Sequence, residues 1–243
     1  MNRVSRLLGS VLMLFIGALN TSYLCAEERL HAPIAHKGSS GNLAELLRFV
    51  SEQYRIPIIG ELVYPVPENR VFESGQDTAV SLLAKLLRQV PAYSYDITNG
   101  HIIRFYRRDV VDKKGNFLNV RLKHFTMPAN LADFKLLLPS AIDSARKGLP
   151  GSGSVTSGFA SREMENGKLT QKELSNISAR DLLIMAAEET SAFYSIVVLE
   201  SRNCQTDACF NYANQHWFWG SLTGSVSENR IYIQHPRLPG RGR

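Results

Sequence analysis

Ser144 and Lys147, in the stretch SARK, have the S-x-x-K spacing of acyl enzymes in which a lysine amine helps a serine attack a carbonyl. That chemistry is accompanied by S-D-N and K-T-G segments, and neither occurs in this chain, so the pair reads as a helix end. The stretch GSGSVTSG, residues 151–158, has the small residues of a phosphate cradle. It lacks the Gly-Lys-Ser/Thr ending that supplies the phosphate-binding lysine, and reads as a flexible loop. His31, His36, His101, His124, His216 and His235 show no metal spacing such as H-E-x-x-H, and the neighbouring carboxylates Glu188 and Glu189 read as the solvent face of a helix. No catalytic residue, cofactor or metal is therefore assigned. An enzyme would need a composite site in which His124, Glu200 or Asp207 converge.

Two other groups carry chemistry of a different kind. CQTDAC places Cys204 and Cys209 in a short loop, and in an oxidising compartment their default is a disulfide between adjacent strands. Closing so small a loop contributes about 2 kcal/mol at most in the chain-entropy picture. Zinc would need four ligands, and redox pairs use the tighter C-x-x-C spacing. In NYANQHWFWGSL both tryptophans of the chain, Trp217 and Trp219, stand two apart, so in a strand they share one face while His216 and Phe218 take the other. One reading is a core face backed by a helix. The other is a binding surface of Trp217, Trp219 and His216, for a protein or for sugar chains such as peptidoglycan glycans.

These groups sit in a chain of 243 residues that is 44% hydrophobic, enough for packed cores. Arg3 and Arg6 precede an apolar run over residues 7–19, and small and polar residues then lead to Ala26. That order predicts a secretory signal peptide, residues 1–26, and an exported protein in the periplasm or outside the cell. The run falls short of the roughly 20 residues of a membrane span, so no stable span is expected after cleavage. Leu24, not a small residue, precedes Cys25, which disfavours lipidation. Cleavage leaves 26 basic and 22 acidic residues, a net charge of +4, and no nucleic-acid motif accompanies it. The end HPRLPGRGR, within residues 231–243, predicts a basic disordered tail.

Between these ends, apolar periodicity and caps predict the elements. Asn42 caps a helix carrying Leu43, Leu46, Leu47, Val50 and Tyr54, followed by a buried strand at residues 56–59 and an extended RVFES. Asp77 is the expected cap of a second helix, and Asn99-Gly100 between β-branched and aromatic runs predicts a hairpin. The second half repeats that order. Asn130 and Ser178 cap helices, KLTQKELSNI, FYSIVVLES and HWFWGSL are strands, and residues 147–167 form a flexible insertion. The first caps are 88 positions apart and the second caps 101, and cap-to-strand spacings are 16 (Asp77 to Tyr93) and 15 (Ser178 to Phe193). The expectation is an α+β fold of two small repeated units, residues 27–110 and 111–230, each a small mixed sheet with two helices on one face.

NLAELLRFVSEQYRIPI, followed by DTAVSLLAKLLRQVPAYSYDITNGHIIRF, resembles the secretin and TonB short N-terminal domain over about residues 42–105. The resemblance implies a periplasmic interaction module, accessory to an outer-membrane secretin or TonB-type system. No secretin core, plug or barrel follows in the chain. The resulting expectation is a non-enzymatic module that binds an envelope protein, or another copy of itself, by strand addition near YSYDI or FYSIVVL, with a tryptophan as anchor. A glycan-binding protein and a cell-envelope enzyme with a site between the units are the alternatives.

Overall fold

Four side-chain caps start the four long helices of a computed structural model that describes residues 26–64, 66–113, 116–146, 155–157, 167–190, 193–200 and 215–221. In chain order come α1 (Ala26–His31), β1 (Ile34–His36), β2 (Ser39–Gly41), α2 (Leu43–Tyr54), β3 (Ile58–Tyr64), β4 (Arg70–Phe72), β5 (Gly75–Asp77), α3 (Ala79–Gln89), β6 (Tyr93–Thr98) and β7 (Ile102–Arg107). A 3₁₀ turn, Phe117–Asn119, leads to β8 (Arg121–Met127), α4 (Leu131–Ala145), β9 (Val155–Ser157), β10 (Lys172–Ser178), α5 (Ala179–Thr190), β11 (Phe193–Glu200) and β12 (Gln215–Ser221).

Asn42 makes a full capping box: its side chain accepts from Glu45 N at 3.0 Å, and Glu45 Oε2 accepts from Asn42 N at 2.9 Å. Asn130 caps α4 through Asp133 N at 2.8 Å, and the Ser178 hydroxyl caps α5 through Asp181 N at 3.0 Å. The second helix differs from expectation by one residue. Thr78, extended at φ −89° and ψ 160°, is the cap of α3, its hydroxyl accepting from Ser81 N at 3.0 Å. Asp77 instead ends β5, with its carboxylate held by His36, Ser81 and Lys85.

The fold is α+β, as the patterning implies. Its largest sheet, however, is not divided between two units. Six strands run in the order β6-β7-β3-β11-β12-β9, so strands of both halves share one sheet, with β3 parallel to β11 from Ile59↔Ser195 to Tyr64↔Glu200. Antiparallel ribbons β1–β5, β2–β4 and β8–β10 form separately. FYSIVVL, expected near an edge, is β11, paired on both sides. Part of the expected flexible insertion is also a strand, since β9 pairs in parallel with β12 and Leu131 N donates to Gly167 O at 2.9 Å.

Alternate residues of β3 divide two cores. Ile58 and Leu62, with Ile103 and Phe105, pack against α2 and α3. Ile59 and Val63, with Ile102, face the other way, into the cluster built by α4, α5 and the 3₁₀ turn. Some buried helix positions recur at fixed offsets between the halves. Leu43, Leu46, Val50 and Tyr54 of α2 are buried, and so, 88 positions on, are Leu131, Phe134, Leu138 and Ile142 of α4. Ala79, Leu82, Leu83 and Leu86 of α3 are buried, and so, 100 positions on, are Ala179, Leu182, Leu183 and Ala186 of α5. From Thr78 to Tyr93 and from Ser178 to Phe193 the spacing is now 15 residues in both. Leu43 N donates to Pro67 O as Leu131 N does to Gly167 O, again with acceptors 100 positions apart.

Candidate interaction edge

The β6–β7 hairpin closes through Asn99 and Gly100, both in the left-handed region at φ 53° and 73°, as a type I′ turn requires. Arg108 N donates to Ala92 O at 3.1 Å, which fixes the phase of the ladder. In an antiparallel pair the bonding direction alternates, so Ser94, Asp96 and Thr98 bond β7 while Tyr93, Tyr95 and Ile97 turn their backbone groups away from it. Consistent with that phase, Tyr93 N donates to Val90 O at 3.0 Å. Tyr95 and Ile97 thus present N–H and C=O groups to the far side of β6, where no described residue pairs with them. β6 contains neither lysine nor proline, the residues that commonly block an edge, and its one charge, Asp96, is paired with Arg104 at 3.3 Å. Ile97 is 39% exposed.

The edge is held in place from behind. Tyr93 stacks on Phe105 with centroids 5.5 Å apart, and its hydroxyl oxygen accepts from Val63 N at 3.2 Å. Burial pushes the Tyr93 hydroxyl above its ordinary pKa, so it stays a neutral phenol. Arg104 lies 5.5 Å from the Tyr106 ring centroid, a cation–π contact on the opposite face of the hairpin.

Trp217 and Trp219 lie on β12 opposite Val197 and Ser195, with His216 opposite Val198. Strand alternation gives the two tryptophan positions one face of the sheet. β12 stands four strands from β6, about 19 Å at ordinary strand spacing. A strand added at β6 therefore has no tryptophan anchor. Cys204, Cys209, Asp207, Lys147 and His235 lie outside the described residues. His124 is exposed on β8 and Glu200 ends β11, so those two members of the composite site belong to different sheets. Ser144 is exposed in the last turn of α4. A shallow concavity of about 540 Å³ is lined by Glu27, Glu28, His31 and Ala32, all from α1 or just past it. Among the described residues no three His, Cys, Asp or Glu side chains gather to hold a metal, and no helix is long and apolar enough to cross a membrane.

Two polar clusters were not foreseen. Glu61, 2% exposed in β3, accepts from Arg180 Nε at 2.7 Å, Arg180 Nη2 at 2.8 Å and Asn116 Nδ2 at 3.0 Å. Arg180 also donates to Val111 O at 3.1 Å and to Asn119 Oδ1. The available signal was an acid inside the apolar run IIGELVY. Asp77 accepts from Lys85 at 2.7 Å, from Ser81 at 2.8 Å and faces His36 Nε2 at 3.1 Å, while its backbone oxygen takes the Tyr54 hydroxyl at 2.7 Å. Glu189 differs from a solvent-facing carboxylate. It accepts from Thr170 N and Lys172 Nζ, both at 2.6 Å. Burial alone would raise its pKa, but these donors bring it below the ordinary value.

No protein-family model, no curated protein and no solved structure matches the chain.

Proposed function

We propose that this chain is an exported periplasmic module that binds an envelope protein by strand addition, acting through contact and not catalysis. The observation that carries the reading is the unpaired side of β6, with outward backbone groups at Tyr95 and Ile97 and no blocking residue on the strand. Support for the likeness to the secretin and TonB short N-terminal domain comes from the first half. There α2 precedes the strand β3, and the later helix α3 leads into the β6–β7 hairpin, the order that the family has. An accessory role beside an outer-membrane secretin or TonB-type system fits that likeness. Ile97, and not a tryptophan, is the side-chain contact beside the added strand.

The test is a pull-down from envelope extract using the mature chain and its Ile97→Lys variant. A protein partner captured by the parent and lost with the variant is the expected result. Equal capture by both would remove β6 as the site. Retention of purified glycan with no protein recovered would replace this reading with cell-wall binding.

A further inference from the structure

We infer that the chain also adds to copies of itself head to tail, the β9 edge of one copy pairing in parallel with β6 of the next. This rests on the strand-addition reading and names a second occupant for the same edge. The observation behind it is the way the two halves already join. Each half contributes three strands in one order, β6-β7-β3 and β11-β12-β9, and in each the first pair is antiparallel and the second parallel. Within the first half β6 therefore runs against β3. At the junction β11, the counterpart of β6, runs with β3.

The second half thus points the opposite way along its strands while keeping its order across the sheet. A half-turn about the sheet normal would reverse both. Only a half-turn about an axis lying in the sheet, along the hydrogen-bonding direction, reverses strand direction alone, and it must also exchange the two faces. The faces are exchanged: α2 and α3 pack on one side, α4 and α5 on the other. Added to a shift of three strands, about 14 Å, the half-turn becomes a screw. A screw makes a heterologous contact that does not close on itself.

Applied again, the same screw carries the β3–β11 junction onto β9 and the β6 of a second copy. Those are the two outer strands of the sheet, each paired on one side among the described residues. Pairing at the internal junction begins at Ser195, whose counterpart 100 positions earlier is Tyr95, the first outward-facing residue left on β6. The junction between copies is weaker than the internal one for two reasons. Arg180, which holds Glu61 at the internal junction, has Val80 as its counterpart in α3, and β9 offers only Val155–Ser157. Assembly is therefore reversible and concentration-dependent.

Sedimentation equilibrium of the mature chain over a wide concentration range tests this. The expected result is a weight-average mass that rises past two copies without a plateau. Ile97→Lys and Ile97→Asp, at an exposed position, should each be folded by circular dichroism and monomeric alone. Mixed with parent, either should shorten the assemblies, because a blocked copy still offers its β9 edge but gives the next copy nothing to join. A mass that stops at two, with variants that ignore the parent, means two-fold pairing of β6 with β6 and overturns the screw. A monomer at every concentration overturns self-assembly altogether. In both of those cases loss of the envelope partner with Ile97→Lys would leave the proposed function standing.

Discussion

Arg180 grips Glu61 with two parallel hydrogen bonds, Nε to Oε1 at 2.7 Å and Nη2 to Oε2 at 2.8 Å, across the junction between the two halves of the chain. Burial would lower the arginine's pKa, but its bonds to Glu61 raise it, so the guanidinium keeps its charge. Side-chain exposure is 12% and 3%. Removing one partner leaves a buried charge alone, which costs about 3–5 kcal/mol. Arg180→Ala should therefore lower urea-unfolding stability by that amount. Glu61→Leu with Arg180→Met should lose far less than the two single changes together, because the orphaned charge is gone. A loss below about 1 kcal/mol for Arg180→Ala would mean that water reaches the pair.

Asp77 is a second buried carboxylate with several donors. The hydrogen bond from Lys85 is the largest influence holding it down to about 2, against desolvation, with Ser81 and His36 assisting. A carboxylate whose pKa is lower in the folded chain stabilises the fold above its unfolded pKa. That contribution disappears as pH falls through the folded value. Stability should thus be full above about pH 4 and fall by about 1–2 kcal/mol as pH drops toward 2, the half-exposed Lys85 screening the effect. Asp77→Asn should lose this stability at neutral pH and flatten the acid limb of a pH series of unfolding curves. An unchanged acid limb would show that another carboxylate governs it.

The elements were largely legible, because helices and hairpins are local: Asn42, Asn130 and Ser178 cap where their side chains reach the third following N–H, and Asn99-Gly100 turns where positive φ is needed. The pairing of β3 with β11 was not, since strands 136 positions apart leave no spacing signal. Asp77 misled for a related reason. An aspartate before Thr78 is as good a cap by type, and only its distant partner His36 shows that its carboxylate is used elsewhere. Of the candidate site, YSYDIT was legible as an aromatic, alternating strand. Its place near an edge was expected too, but that FYSIVVL lies inside the sheet and the tryptophans four strands away are properties of the sheet order.

The β9 strand makes a prediction about the segment expected to be dispensable. Replacing residues 155–157 with Gly-Ser-Gly should weaken the ladder to Gln215, His216 and Trp217. Two glycines in a strand cost about 0.5–1 kcal/mol each in conformational entropy, roughly 1–2 kcal/mol together. Replacing residues 158–166 with a short linker that leaves β9 and Gly167 in place should leave the melting temperature nearly unchanged. If both replacements are silent in thermal unfolding, β9 contributes nothing to the fold.

Trp217→Ala and Trp219→Ala test the separation of the aromatic face from the β6 edge. A partner strand on β6 lies about five strand spacings from β12, some 24 Å, beyond the reach of either side chain. Each variant, checked for folding, should keep protein-partner affinity within about twofold. A loss of about 2 kcal/mol or more would make tryptophan a hot spot and move the site to the other end of the sheet.

The two cysteines offer the last test. β11 ends at Glu200 and β12, antiparallel to it, starts at Gln215. Cys204 and Cys209 lie in the sequence between them, four and six positions from the two strand ends. A disulfide needs their Cα atoms within about 7 Å. The mature protein, purified after export, should show the 204–209 link by peptide mass mapping without reductant. Reduction should cost about 2 kcal/mol at most, because the closed loop is short and little chain entropy is removed. The loss should appear as fraying of β11 and β12 in hydrogen exchange, with the β6–β7 hairpin unaffected, since β3 stands between them. Two free thiols in exported protein would defeat the link.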